Sequence, residues 1–419
     1  MSHDRPPDET TPRGFATRAI RAAARQPQVD QRPTAVPIYQ TATFTSDTAD
    51  ELGAILVDER PGYAYSRVDN PTTSALAEAV AELEGAETGF SLASGMAAVH
   101  ATLVSLAGAG ERIVATRAVY GSTRSLLAGL LTRLGIATEW VDITDHGAVE
   151  RALGAVPTRL LYAETISNPT IVVADHRALA AIAHRHGVPY VVDNTFASPY
   201  LCRPIELGAD LVIESGTKYL AGHSDVLAGV VVGDRARIDA IRAIQIDTGG
   251  TLSPLAAFLV LRGLPTLALR MERHSATAGA LAAWLERQDG VARAFHPSLQ
   301  SHPQHALAGR QLAAFGGMLA FELEGGRDAG RAFVDTLTLT ERTASLGSVH
   351  TIVAHPASTT HRQLDERGLA EAGIRPGLLR ASIGLEDPDD LLDDFGRALA
   401  AARSAGTPRA AALAAAGPR

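Results

Sequence analysis

Apolar and polar residues follow two alternating patterns along residues 73–233, and together these predict helices and strands in turn. Apolar positions three or four residues apart predict helices in SALAEAVAELEG, MAAVHATLVSLAG, GSTRSLLAGLLTRLG and RALAAIAHRHG. Short apolar runs rich in Val, Ile and Leu predict strands buried on both faces in RIVAT, TRLLYAE, PYVVD, ADLVIES and LAGVVVG. The fold class that we predict is therefore α/β, with a mainly parallel sheet covered by helices.

The pattern changes after about residue 253, where apolar helical segments lead into a second group of elements. Strands and helices mix in the segments MLAFELEGG, GRAFVDTL, GLLRASIGLED and LLDDFGRALAAAR. This mixture predicts a smaller C-terminal α+β domain. The domains that we predict are an N-terminal tail and subunit-contact arm (1–60), a large domain (61–264), the α+β domain (265–403) and a loose tail (404–419).

Composition excludes several classes of protein. A chain with 46% hydrophobic residues is too apolar to be mostly disordered. The 38 basic and 46 acidic residues give a net charge of −8, whereas nucleic-acid binders usually carry a basic face. No uninterrupted apolar stretch reaches the roughly 18 residues of a membrane span. The single cysteine, Cys202, excludes a multi-cysteine metal site, and no metal is predicted. We expect a cytoplasmic protein without nucleic-acid or membrane partners.

The use of basic residues points to one position. Of the 38 basic residues, a single one, Lys218, is lysine, and all the others are arginine. Arginine cannot replace lysine where an amine must lose its proton and attack a carbonyl, because the guanidinium stays charged. The alternative is that Lys218 is an ordinary surface residue. A sole lysine nevertheless favours Schiff-base chemistry at this position.

Polar residues follow three of the predicted strands, and ligands of open α/β sheets bind at the carboxyl ends of strands. Glu164 and Asn168 come at and after the end of TRLLYAE, and Asp193 ends PYVVD. Ser215, Thr217 and Lys218 come at and after the end of ADLVIES. Each could singly be a turn or helix cap. Together they indicate one shared crevice.

Ser94 and Gly95 open a predicted helix, and the N–H groups at a helix start attract phosphate. The dinucleotide and P-loop signatures are absent from the sequence. A lone lysine, a strand-end aspartate and a phosphate site fit a cofactor with a carbonyl, a basic ring nitrogen and one phosphate. Pyridoxal 5′-phosphate has all three groups.

A series of motifs runs through the chain from about residue 14 to 400. They are VPIYQTATF, YAYSRVDNPT, LASGMAA, VYGST, ETISNPT, VVDNTFASPYLCRPIELGAD, SGTKYLAGHSD, LRGLPTLALRMERH, GGMLAFEL, AHPASTTH and LLRASIGLED. In sequence and order they resemble the Cys/Met-metabolism family of pyridoxal-phosphate enzymes. That family includes methionine γ-lyase, cystathionine γ-lyase, cystathionine γ-synthase and the O-acylhomoserine sulfhydrylases. The resemblance implies an aspartate-aminotransferase-like fold (fold type I) and a homodimer or homotetramer with shared active sites.

The resemblance also implies roles for individual residues. The catalytic residues would be Lys218, which forms the Schiff base with the cofactor, and Tyr120, which stacks on its ring. The residues that would bind the cofactor are Tyr65, Arg67, Gly95, Met96, Tyr120, Asn168, Asp193, Ser215, Thr217 and Lys218. Among these, Asp193 would pair with the ring nitrogen, and Tyr65 and Arg67 would reach the phosphate of a neighbouring subunit. Ser345 and Arg380 would hold the α-carboxylate of an amino-acid substrate.

Departures from the family pattern favour γ-elimination on a sulfur amino acid, with release of a thiol, an α-keto acid and ammonia. Cystathionine enzymes usually carry a glutamate where this chain has Ala344 and often an acidic residue where it has Ala64. Their arginine after the stacking tyrosine is also displaced, because Arg124 comes one place early and Ser125 takes the usual place. A charged distal group on the substrate would therefore lose its partners.

Other departures keep alternatives open. Methionine γ-lyases usually have a cysteine where this chain has Ser122, and a Lys-Asp pair where it has Gln245 and Ile246. The alternative reaction is γ-replacement on an O-acylhomoserine, as in a sulfhydrylase or cystathionine γ-synthase. A catalytically inactive relative that only binds ligands and an aminotransferase on the same fold are two further alternatives.

Overall fold

The computed structural model describes residues 33–359, 369 and 374–406. The described residues from 38 onward belong to one compact unit. The predictions for residues 1–32 of the tail and arm, and for residues 407–419 of the loose tail, lie outside the described residues. The domain boundaries after residues 60, 264 and 403 stay predictions.

The larger sheet is mainly parallel, as predicted. Its strands are β1 (Thr88–Leu92), β2 (Arg112–Thr116), β3 (Ala137–Val141), β4 (Leu160–Glu164), β5 (Tyr190–Asp193), β6 (Leu211–Glu214) and β7 (Gly229–Gly233), in the order β1-β7-β6-β5-β4-β2-β3. The pairs from β3 to β6 are parallel, whereas β7 runs antiparallel to β6 and β1. Because β4, β5 and β6 are adjacent and parallel, the polar residues that follow them meet at one edge of the sheet.

Two strands of the larger sheet carry too weak a signal for the sequence to predict them. Strand β3 lies at an edge of the sheet, where its residues are only partly buried. Strand β1 (TGFSL) contains Gly89, and a Cβ there would lie 2.9 Å from both the carbonyl oxygen of Ala77 and the side chain of Val232. The glycine therefore lets a helix approach the strand closely, although it weakens the strand pattern.

Helices cover the larger sheet. They are α1 (Ala49–Leu56), α2 (Pro71–Glu84), α3 (Gly95–Leu106), α4 (Gly121–Ser125), α5 (His146–Ala155), α6 (His176–Arg185), α7 (Ser198–Leu201), α8 (Arg235–Thr248) and α9 (Pro254–Gly263). The predicted helix ends are confirmed, since Gly85 closes α2 with a φ of 74° and the Ser94 side chain caps α3.

A smaller antiparallel sheet lies in the C-terminal part of the chain. Its strands are β8 (Val291–Phe295), β9 (Met318–Leu323), β10 (Ile352–Ala354) and β11 (Leu378–Ser382), in the order β10-β11-β9-β8. The helices of this part are α10 (Leu267–Leu285), α11 (His305–Gln311), α12 (Gly326–Thr336) and α13 (Pro388–Gly406). Phe333 packs edge-on against both Phe321 and Phe395, which joins α12 and α13 to the sheet.

One helical stretch in the described residues, Pro254–Leu285, is long and apolar enough to span a membrane by length and composition. It consists of α9, a short 3₁₀ turn and α10. Two of its polar residues, Arg270 and His274, are buried and hydrogen-bond to backbone carbonyls, the first to that of Tyr219. Polar side chains satisfied in this way are typical of a protein core, and we interpret the stretch as core helices.

Two buried glutamates contact each other between α2 and β6. The side chains of Glu84 and Glu214 are almost completely buried and interact with each other, and the Asn194 amide donates to Glu84 Oε1 at 2.8 Å. Two neighbouring carboxylates repel each other when both are charged, which favours a protonated form of the pair. Burial raises the pKa of Glu84 to about 7, and burial together with Glu84 raises that of Glu214.

We expect Glu214→Gln to make stability less dependent on pH. An unfolded glutamate ionises near pH 4.5, whereas the folded pair keeps its proton to about pH 7, so the stability of the wild type falls as the pH rises across this interval. The side-chain amide of a glutamine at position 214 can donate a hydrogen bond to the Glu84 carboxylate, so the contact no longer needs a bound proton. The variant should therefore melt roughly 2–5 °C above the wild type at pH 8, with a smaller difference at pH 5.

The control is Glu82→Gln, which changes an exposed glutamate of the same helix. Thermal melts of all three proteins at both pH values provide the measurement. Parallel pH dependence in the wild type and Glu214→Gln would show that the pair holds no shared proton.

Candidate active site

The carboxyl ends of β4, β5 and β6 border a cavity of about 230 Å³. Ten of the twelve predicted site residues line this cavity. They are Gly95, Met96, Tyr120, Asn168, Asp193, Ser215, Thr217, Lys218, Ser345 and Arg380. Two of these come from the C-terminal part of the chain, since Arg380 lies on β11 and Ser345 in the loop before β10. Both parts of the chain therefore build the cavity.

Lys218 lies at the cavity in a short turn after β6. Its Nζ donates a hydrogen bond to Ser345 Oγ at 2.9 Å. Burial, and secondly the positive charge of Arg380, lower the pKa of Lys218 to about 8. A substantial fraction of the amine is then neutral near physiological pH, which is the form that attacks a carbonyl.

Arg380 is a buried cation with no carboxylate partner among the described residues. Its Nη1 donates to Asn168 Oδ1 at 3.1 Å and its Nη2 to the carbonyl of Ser345 at 2.6 Å. Its Nε has no hydrogen-bond partner in the described part of the chain, and burial lowers the pKa of the guanidinium to about 10. An unpaired buried guanidinium at a cavity wall suits a carboxylate ligand, which it can bind through two hydrogen bonds.

Asp193 ends β5 and faces the cavity. Its Oδ1 accepts a hydrogen bond from the Thr195 N–H at 3.0 Å, and the Tyr162 hydroxyl lies 3.4 Å from Oδ2. Burial raises the pKa of the Asp193 carboxyl. A carboxylate that is costly to bury becomes favourable when a protonated ring nitrogen binds beside it.

The start of α3 forms a cradle with the turn that carries Lys218. The N–H groups of Gly95 and Met96 lie in the first turn of the helix, where they have no partner within the helix. A Cβ on Gly95 would lie 2.9 Å from Ser215 Cβ, so only glycine allows this close approach. The helix N–H groups and the Ser215 hydroxyl are donors that fit a phosphate, and Thr217 lines the same cavity with its hydroxyl bonded to the main chain of Ala228.

Two predicted site residues lie elsewhere. Tyr65 and Arg67 line a second cavity with residues of the loop before α9, including Ser253. The Arg67 guanidinium donates to the Ile246 carbonyl and lies 5.5 Å from the centre of the Tyr65 ring. Within this one chain, the fold does not bring the pair to the Lys218 cavity.

Several lining residues have no predicted role. Glu164 ends β4, and its carboxylate accepts hydrogen bonds from the N–H groups of Tyr120 at 2.6 Å and Asn168 at 3.0 Å. Its place at a strand end was the only signal in the sequence. Ala344, which the comparison with the family pattern had singled out, also lines the cavity, and the apolar lining residues without a signal in the sequence are Val99, Ile166, Phe196, Leu227 and Leu346.

Comparison with known proteins supports the pyridoxal-phosphate chemistry that the cavity residues suggest. The model of the family described as Cys/Met metabolism PLP-dependent enzyme matches residues 16–400. An L-methionine gamma-lyase of Pseudomonas putida is 46% identical over 93% of this chain and 98% of its own length. An O-succinylhomoserine sulfhydrylase of Pseudomonas aeruginosa is 42% identical over 92% of this chain and 95% of its own length.

A solved structure shows the same fold with a pyridoxyl group attached to a lysine. It is an O-acetylhomoserine (thiol)-lyase from Campylobacter jejuni that contains pyridoxyl-lysine monophosphate. Its TM-score is 0.85 and its identity 32%, over 90% of this chain and 97% of its own. The predictions of the fold class, of the cofactor and of an enzyme of sulfur amino-acid metabolism are thus confirmed. The chain belongs to the Cys/Met-metabolism family of pyridoxal-phosphate-dependent enzymes.

Proposed function

We propose that this enzyme catalyses γ-elimination on a sulfur amino acid with an uncharged distal group, such as methionine. The products are a small thiol, an α-keto acid and ammonia. The proposal rests on the observation that few charged groups line the cavity and that none of them is left for the distal end of a substrate. The charged lining residues of the cavity are Glu164, Asp193, Lys218 and Arg380, and each already has a partner or a task near the reacting end of the substrate.

Arg380 binds the α-carboxylate of the substrate in this proposal. Its guanidinium is held by Asn168 and Ser345, so it is oriented before the substrate arrives, and its free Nε adds a third donor. A preformed site loses little conformational freedom on binding. The carboxylate is thereby fixed near Lys218, whose Nζ is bonded to the hydroxyl of the same Ser345.

Bound pyridoxal phosphate supplies an electron sink for the negative charge that develops at the substrate Cα. Asp193 faces the site of the ring nitrogen and favours its protonated form. Lys218 is the group that moves protons at Cα, because an amine with a pKa near 8 can both accept and return a proton at neutral pH. Tyr120 lies at the cavity wall, where it would stack on the ring.

The distal part of the cavity offers no charge. Ala344 lines the wall at the position where cystathionine enzymes usually have a glutamate. Arg124 lies outside this lining, and its guanidinium stacks on the Trp140 ring at 4.7 Å. A substrate with a distal ammonium or carboxylate would find no charged partner at this wall, which Phe196, Leu227 and Leu346 line with apolar side chains.

The first prediction concerns substrate preference. We expect methionine to give the highest kcat/KM in parallel assays with cystathionine and with O-acetyl- or O-succinylhomoserine plus sulfide, scored by keto-acid, ammonia and thiol release. A preference of more than about tenfold corresponds to about 1.4 kcal/mol of transition-state binding. If cystathionine wins by that factor, the assignment of an uncharged distal group is wrong.

The second candidate function is γ-replacement on an O-acylhomoserine, and it is an outcome of the same assay. Ser122 and the Gln245-Ile246 pair depart from the methionine γ-lyase pattern, and Gln245 is buried with its amide donating to Thr251 Oγ1 at 2.8 Å. The buried amide of Gln245 carries no positive charge, unlike the lysine that methionine γ-lyases usually have at this position. If an acylhomoserine with sulfide gives the highest kcat/KM, replacement takes the place of elimination.

A single substitution should move the preference. Ala344→Glu introduces a carboxylate at an exposed position of the cavity wall, where it can meet a distal ammonium. We expect the ratio of kcat/KM for cystathionine to that for methionine to rise about tenfold. Ala344→Gln, with the same shape and no charge, is the matched control, and an equal rise in both variants would contradict the electrostatic explanation.

We further propose a cytoplasmic homodimer or homotetramer whose active sites are shared between subunits. Tyr65 and Arg67 support this proposal. They line the second cavity, and the planar guanidinium of Arg67 stacks on the ring of Tyr65. A guanidinium is well suited to a phosphate. In the assembly, the pair would complete the phosphate site of a neighbouring subunit.

Mixing two inactive variants tests the shared site. Arg67→Ala and Lys218→Ala chains, unfolded and refolded together, should recover activity, because one hybrid site per dimer then has both residues intact. Random pairing predicts roughly a quarter of the wild-type activity per chain. Each variant refolded alone is the control, and mixed dimers that form without activity would exclude sharing through Arg67.

A further inference from the structure

Glu164 lines the cavity but has no role in the proposed function. It is 4% exposed and ends β4, next to Asp193 on the neighbouring strand. Burial and the nearby Asp193 raise the pKa of its carboxyl. Hydrogen bonds to both of its oxygens offset part of the cost of burying this group.

The two oxygens of Glu164 bind two separate loops. Oε1 accepts from the N–H of Tyr120 at 2.6 Å, and Oε2 accepts from the N–H of Asn168 at 3.0 Å. Tyr120 lies at the start of α4, and no side chain of that helix end caps its free N–H groups. One carboxylate therefore fixes the positions of two main-chain segments, 44 and 4 residues away in the sequence.

The bond to Asn168 extends to the substrate side of the cavity. The Asn168 side chain accepts from Arg380 Nη1 at 3.1 Å, and Arg380 Nη2 donates to the carbonyl of Ser345. Ser345 Oγ in turn accepts from Lys218 Nζ at 2.9 Å. A continuous series of hydrogen bonds thus leads from Glu164 to the reacting lysine.

We propose that Glu164 is a positioning residue, which holds the Tyr120 ring and the Asn168 amide together in the geometry that receives the cofactor ring. The inference rests on the roles of Tyr120 and Asn168 toward the cofactor in the proposed function. It adds that the two act as a unit, because one carboxylate fixes both. Glutamine cannot replace it, since an amide has one acceptor oxygen and its NH₂ would face a main-chain N–H.

The test measures cofactor binding without substrate. The full-length protein is stripped of cofactor and titrated with pyridoxal phosphate, and absorbance and protein fluorescence report the Kd. We expect Glu164→Gln to raise the Kd about tenfold or more, and to lower the rise in melting temperature that the cofactor produces. The melting temperature of the cofactor-free protein should change much less. Glu78→Gln, an exposed glutamate on α2, is the control.

A double-mutant cycle separates positioning from a general loss of structure. If Glu164 acts through the Tyr120 ring, Glu164→Gln should raise the Kd by less than about threefold in a Tyr120→Ala background. A Kd within twofold of wild type, or equal effects in both backgrounds, would overturn the proposal. If Glu164→Gln does not fold, Glu164→Asp takes its place in the cycle, since its shorter carboxylate cannot reach both N–H groups. A different substrate preference leaves this test unaffected, because no substrate is present.

Discussion

The hydrogen bond between Arg380 and Asn168 is the contact on which the arrangement of the site depends. It joins β11 of the smaller sheet to the loop after β4 of the larger one, across 212 residues of sequence. Arg380 is buried and has no carboxylate partner among the described residues, so its charge is held by dipoles of side chains and backbone alone. A binding site for an anion is the physical consequence. The same bond fixes the loop whose main chain is held by Glu164.

The distribution of charge explains why the cavity suits one cofactor. Carboxyl groups concentrate at the ends of β4, β5 and β6, and burial raises the pKa of Glu164, Asp193 and Glu214. The two cations at the cavity, Lys218 and Arg380, both have lowered pKa values for the same reason. A ligand that is cationic at its ring nitrogen, anionic at its phosphate and reactive at a carbonyl meets a complementary group at each of these points. The charges needed for catalysis are thereby supplied near the reacting atoms, and the distal wall remains apolar.

The neutral distal wall and the stacked Arg124 both support the proposed preference for an uncharged distal group. The chain keeps an arginine near the usual place, but the displacement by one residue turns it to Trp140 instead of the cavity. A change of one position on a helix rotates a side chain by about 100°, so the position matters as much as the residue type. Composition alone would have counted this arginine as a candidate for binding a substrate carboxylate.

The sequence by itself determined the fold class and the cofactor, and it predicted ten residues that the structure brings to one cavity. Alternating helix and strand patterns, a sole lysine and motifs at strand ends are local signals, and the sheet brings such strand ends together by topology. Strands β1 and β3 lacked a local signal, because one needs a glycine for close packing and the other is a half-exposed edge. Only the tertiary structure showed the two main-chain hydrogen bonds of Glu164, the burial of Glu84 beside Glu214, and the placement of Tyr65 and Arg67 away from Lys218. Each of these depends on contacts between residues distant in sequence, and such contacts leave no periodic or compositional trace.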